Sequence, residues 1–178
     1  MTSTGVSAVN TTLYLDLEGT VIKGWDDQVL MNSSRVRDFL DSNPDIDRDD
    51  VRVFSFAIYN DKDKAEFVRD IKPMLERRLG VTITQWHSVQ DMALRTQQLT
   101  GNRFLDSDTM GGHGISEYIA LVGKVNAFLD WVVYEVGSED GPGSARVVLV
   151  DDIVPMRTVL DHTLGLQVDY INVDKLGV

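Results

Sequence analysis

The chain of 178 residues predicts an α/β fold, a mostly parallel five-stranded sheet with helices on both faces, and three observations carry that expectation. Short apolar or β-branched runs alternate with longer segments of helical period, the pattern of βαβ units. Leu13 to Leu15 and Val147 to Val150 are apolar throughout, as strands covered on both faces must be. No internal repeat and no linker of distinct composition divides the sequence, so the elements belong to one domain.

Residues 1–12 are small and polar, with neither a basic nor an apolar signal region, and are expected to form a flexible tail ahead of one domain over 13–178. The first strand, Leu13 to Leu15, runs into Asp16-Leu17-Glu18-Gly19-Thr20, and a hairpin-like stretch follows around Lys23 to Asp27. Asn32 or Ser33 is placed to cap a helix from about Ser34 to Ser42, which Asn43-Pro44 stops. Val51 to Ile58 alternates as a second strand with Ser55 near its end. Asp61 to Leu79 carries Phe67, Ile71, Leu75 and Leu79 at i, i+4 spacing, an amphipathic helix that Pro73 kinks or divides and Gly80 ends.

Val81 to Trp86 reads as a third strand and Ser88 to Leu99 as a helix. Thr100 to Ser116 holds four glycines and no period, so it is expected to be a long loop. Glu117 to Val136 resumes a helical pattern with a break near Gly123, and Gly137 to Ser144 is a surface turn. Arg146 to Val150 is a fourth strand ending in Asp151-Asp152. Met156 to Leu164 reads as a helix closed by Gly165, and Leu166 to Val173 as the fifth strand.

Composition narrows the chemistry. With 28 acids against 17 bases the formal charge is −11, which disfavours non-specific binding to nucleic acid. The absence of cysteine removes disulfides, thiolate metal sites and thiol nucleophiles together, and suits a cytoplasmic protein. No apolar run reaches the ~18 residues of a membrane span.

In parallel sheets ligands bind beyond the carboxyl ends of the strands, and the first and fourth strands both end there in acids. Asp16 and Glu18, joined by Asp151 and Asp152 from a distant strand, make an oxygen-rich pocket suited to Mg2+, which takes one or two carboxylates and completes its shell with water and substrate phosphate. A carboxylate beside such an ion can attack phosphorus to form an aspartyl-phosphate that water then cleaves, with Glu18 as acid and base. Ser55 and Lys124 are the hydroxyl and ammonium placed to bind phosphoryl oxygens.

Four segments in order resemble the haloacid dehalogenase-like (HAD) superfamily of phosphatases and phosphotransferases. Leu13 to Thr20 is similar to its apolar strand followed by Asp-x-Asp-Gly-Thr, Ser55 to its second motif, Lys124 in Gly123-Lys124-Val125-Asn126 to its third, and Asp151-Asp152 to its acidic fourth. The resemblance implies a three-layer Rossmann-like fold, Asp16 as nucleophile, and Mg2+ held by Asp16, the backbone carbonyl of Glu18, Asp152 and Asp151. Glu18 departs from the family's usual Asp but matches the enolase-phosphatase branch. The intervals around Ser55 leave little room for a cap domain, so a nearly capless enzyme is expected, with Lys23 to Met31 and Asn102 to Gly114 as flaps.

The expected activity is Mg2+-dependent hydrolysis of a phosphate monoester, the substrate being a phosphorylated small molecule or nucleotide. The alternatives are a catalytically silent binding or regulatory module of the same fold and phosphotransfer to an acceptor other than water. The plainer readings of the same residues are a solvated strand-end turn at Asp16 and Glu18, a helix N-cap at Asp151-Asp152, and a surface cation at Lys124. His87, His113 and His162 lack partners at metal-ligand spacing, and Trp25 reads as an apolar staple under the flap in preference to a stacking platform.

Overall fold

The computed structural model describes residues 11–101, 113–136 and 145–177, with residues 113–115 described in backbone only. The tail through residue 10, the centre of the glycine-rich loop at 102–112 and the turn at 137–144 lie outside the described residues. Six strands form one sheet: β1 (Thr11–Leu15), β2 (Val51–Val53), β3 (Ile83–Trp86), β4 (Arg146–Asp151), β5 (Arg157–Asp161) and β6 (Leu166–Asn172), in the order β3-β2-β1-β4-β6-β5. All neighbours are parallel except β5, which runs antiparallel to β6. The α/β class and the mostly parallel sheet are therefore as expected, with six strands in place of five.

The sixth strand replaces the helix expected over Met156 to Leu164. A hairpin between β5 and β6 turns at Asp161, whose Oδ1 accepts the Thr163 and Leu164 amides at 2.9 and 3.0 Å, and Gly165 takes φ 64°. A positive-φ glycine ends a helix or closes a hairpin equally well, and pairing with β6 decides between them.

The helices are α1 (Ser33–Ser42), α2 (Asp61–Glu66), α3 (Lys72–Leu79), α4 (Val89–Thr100) and α5 (His113–Val136). Between α2 and α3 lies a π-helical turn, Phe67–Ile71, one turn ahead of the kink expected at Pro73. Phe67, Ile71, Leu75 and Leu79 are all buried, so the apolar stripe survives the change of pitch. Asn60 caps α2 by accepting the Lys62 and Asp63 amides, and Ser88 forms a capping box with Asp91 at the start of α4. Asn32 does occupy the N-cap of α1 but in a left-handed conformation, φ 52°, and spends its amide on the Thr20 carbonyl at 3.0 Å.

Alternation along the strands splits the core in two. Leu13, Leu15, Val148 and Val150 pack with Val36 and Leu40 of α1 and the stripe of α2–α3 on one face. Tyr14, Val147, Leu149 and Val168 pack with Met92 of α4 and Phe128 and Trp131 of α5 on the other. One departure from expectation and one expected feature matter to the site. The strand expected over Val51 to Ile58 leaves the sheet after Val53, and α5 breaks at Gly123, φ 74° and ψ 166°, where the sequence places an interruption. Among the described residues no helix is long and apolar enough to cross a membrane.

Candidate functional site

The central strands β1 and β4 are parallel neighbours with Leu15 opposite Val150, and the Asp16 amide donates to the Val150 carbonyl at 3.0 Å. One residue beyond that register the chain reaches Asp16 on one side and Asp151 on the other. Acids from the two ends of the sequence are thus set side by side at the carboxyl edge of the sheet. One carboxylate oxygen from each of Asp16, Asp151 and Asp152 lies within 4.8 Å of the others.

The turn after β1 brings in the rest. The Leu17 carbonyl accepts the amides of Thr20, Val21 and Ile22 at 3.1, 2.9 and 3.0 Å, a tight fold that requires φ 73° at Gly19. A Cβ on Gly19 would lie 2.2 Å from Asp152 Oδ2, so a side chain there fits only if the Asp152 carboxylate moves away. The Thr20 hydroxyl donates to Asp16 Oδ2 at 3.0 Å and stands 3.4 Å from Asp152 Oδ1. From the opposite side Asn172 at the end of β6 donates its amide to the carbonyls of Asp152 and Val154, both at 3.0 Å, pinning the loop after β4.

Lys124 is the cation at the centre. The break at Gly123 restarts the helix there, and the side chain reaches inward to Asp16 Oδ1 at 2.8 Å and Asp151 Oδ2 at 3.0 Å. The ring centroids of Phe56 and Phe54 lie 4.7 and 5.6 Å from its ammonium nitrogen. Burial opposes its charge, yet the carboxylates of Asp16 and Asp151 outweigh that and hold the ammonium above its ordinary range. Burial raises the Asp151 carboxyl despite Lys124, and Asp16 adds to the rise. Asp152 is raised by burial first and then by Asp16 and Asp151. Three carboxylates share one ammonium, a deficit of two positive charges.

The surrounding cleft encloses about 440 Å3 and is lined by Asp16, Ser55, Lys124 and Asp152 at its floor, with Tyr59 and Ile153 exposed at its mouth. The buried Ser55 hydroxyl accepts the Ala57 amide at 3.2 Å, a position it reaches because the chain has left the sheet at Val53. Glu18 also lines the cleft but stands outside the three-carboxylate group, and its Oε1 accepts the Trp25 amide at 2.7 Å.

Of the residues predicted from sequence, Asp16, Asp151, Asp152 and Lys124 meet directly, Ser55 faces the same cleft, and the Glu18 side chain turns toward the Lys23–Asp27 segment. Lys23 pairs with Asp27 at 3.0 Å, and Trp25 packs on the first core, the staple role. His87 is largely buried, His162 is exposed, and the His113 side chain lies outside the described residues, as does the flap expected over Asn102 to Gly114 except for its last two residues, which open α5. Sequence reasoning missed the parts played by Gly19, Thr20 and Asn172. Gly19 and Thr20 stood inside a recognised motif, whereas Asn172 had only its place at a strand's carboxyl end as a signal.

The donor set, all carboxylate oxygen with a charge deficit of two, fits a hard divalent cation. Comparison of the chain with models of known protein families, with curated proteins and with solved structures finds no match in any of the three.

Proposed function

We propose that this chain is a Mg2+-dependent phosphomonoesterase of the haloacid dehalogenase-like type, working through an aspartyl-phosphate on Asp16. The observation that carries the reading is the meeting of Asp16, Asp151 and Asp152 around one point with Lys124 bridging two of them. Asp16, Asp151 and Asp152 would hold the ion, which when bound supplies neutralising charge to the phosphoryl oxygens.

The remaining work falls to the chain's own groups. A carboxylate oxygen of Asp16 attacks phosphorus, the bond from phosphorus to the ester oxygen breaks, and Glu18 delivers its proton to that leaving oxygen. Glu18 then takes a proton from water as the water oxygen attacks phosphorus, and the bond to Asp16 breaks to release phosphate. Lys124 orients Asp16 through the 2.8 Å contact and meets phosphoryl charge as it develops, with the Ser55 hydroxyl beside it. Thr20 fixes the second oxygen of Asp16, so the nucleophile is held at both ends.

Release of phosphate from a panel of monoesters with Mg2+ tests the proposal. Asp16→Asn is expected to abolish turnover while leaving the thermal midpoint within a few degrees of the parent, and chelation is expected to stop turnover reversibly. Unchanged turnover in Asp16→Asn rejects the nucleophile.

One observation favours a second reading, a silent module that binds phosphate without turning it over. The Trp25 amide holds Glu18 Oε1 at 2.7 Å and draws the side chain toward the Lys23–Asp27 segment, outside the three-carboxylate group, so only Oε2 is left to exchange a proton with the ester. Mg2+ and phosphate binding by calorimetry with no hydrolysis across the panel would select this reading.

A further inference from the structure

The two edges of the sheet are finished differently. At the β3 edge the Ile83 amide is taken by Glu76 Oε1 of α3 at 2.9 Å, so a side chain occupies the margin. At the other margin, β5 exposes Leu160 at 56% with Met156 beside the strand at 55%, and no described element pairs with its outer side. A bare edge strand is a template for another strand.

The sequence of β5, Arg157-Thr158-Val159-Leu160-Asp161, is complementary to itself. Arg157, Val159 and Asp161 lie opposite Tyr170, Val168 and Leu166, all buried in the second core, so these three side chains share one face of the sheet. Thr158 lies on the other face, where its hydroxyl donates to Asp169 at 2.7 Å. Two copies of β5 paired antiparallel about Val159 set Arg157 of each copy across from Asp161 of the other on that shared face. Thr158 then faces Leu160, and Val159 faces its own counterpart at the dyad. Within the strand every other register that keeps faces matched sets Arg157 or Asp161 against an uncharged or like-charged residue.

Both charges are available for this. Arg157 makes no ion pair with any described residue, although the chain carries a formal charge of −11. Asp161 forms none with a described cation either, its described bonds being the two turn amides.

We propose that β5 is a homodimerisation edge, joining two copies of this chain into one continuous sheet through an isologous antiparallel pair with two Arg157–Asp161 contacts. The proposal is independent of the catalytic reading, since β5 contributes no residue to the cleft around Asp16.

Sedimentation velocity of the full chain over a range of concentrations tests it. The parent is expected to show a reversible monomer–dimer equilibrium. Arg157→Asp and Asp161→Arg each turn two attractive contacts into two repulsive ones and are expected to weaken association by about tenfold or more. Mixing the two variants restores both opposite-charge contacts and is expected to give a heterodimer that neither forms alone. Asp161 also holds the hairpin turn, so circular dichroism accompanies its variant. Should that variant misfold, Arg157→Asp, which touches no turn bond, decides the question alone. A parent that sediments as monomer at every concentration, an Arg157→Asp variant that associates like the parent, or two folded variants that do not pair when mixed would each overturn the proposal.

Discussion

Gly19 concentrates two demands on one residue: φ 73° and a Cβ position 2.2 Å from an oxygen of Asp152. The first could be met by Asn or Asp at modest cost; the second leaves room for a side chain only if the Asp152 carboxylate moves. Gly19→Ala is therefore expected to push the Asp152 carboxylate away from Asp16 as well as to strain the turn. The expected outcome is a folded protein less stable by about 1–3 kcal/mol, with Mg2+ affinity lowered by about tenfold or more, read by thermal melting and calorimetric titration. Asp-x-Glu-Gly-Thr was legible as a motif, and Asp16 with it. That the glycine exists to admit a residue from the far end of the chain was not legible, because no local pattern encodes a contact across the sheet. The same holds for the Glu18 carboxylate: its chemistry could be read from residue type, but its bond to the Trp25 amide depends on how the following hairpin folds back.

Among the elements, α4 and α5 meet around a group with no place in the site. His87, between β3 and α4, packs against Trp131 of α5 with ring centroids 4.1 Å apart and planes tilted by 48°, and its Nε2 is buried without a hydrogen-bond partner. Burial, reinforced by the charge of Arg95 with Lys64 and Arg52 and opposed by Asp91, pushes its pKa down to about 3. The folded protein therefore keeps His87 neutral at pH values where the unfolded chain, titrating near 6.5, has already bound a proton. Stability from this group is complete above about pH 6.5, is lost progressively as pH falls, and levels off below about 3, a swing on the order of a few kcal/mol. His87→Phe keeps the ring on Trp131 and is expected to flatten that limb in chemical denaturation measured at successive pH values. Periodicity made the buried stripe Phe67, Ile71, Leu75 and Leu79 readable, since i, i+4 spacing tolerates a π-helical turn. It failed at β5, where five residues can satisfy either period and the partner strand settles the matter, and at β2, where β-branched and aromatic character continues past the point at which the chain leaves the sheet toward Ser55.

For the molecule as a whole, the order β3-β2-β1-β4-β6-β5 puts the earliest strand beside one of the latest at the centre of the sheet. The α/β class followed from alternation, and the meeting of Asp16 with Asp151 followed from the strand-end rule for parallel sheets, so most of the site could be named before its geometry was known. Lys124 was harder to read, because its inward course rests on the backbone break at Gly123. The adjacency of β1 and β4 also sets a timetable. A polypeptide emerging from the ribosome displays Asp16 long before Asp151 and Asp152 exist, so the three-carboxylate cluster cannot assemble until β4 has been made. In stopped-flow refolding, Mg2+ uptake should accordingly lag behind the helical signal, because local turns close early and the pairing that unites the two ends of the chain closes late. Simultaneous recovery of both signals would contradict that order.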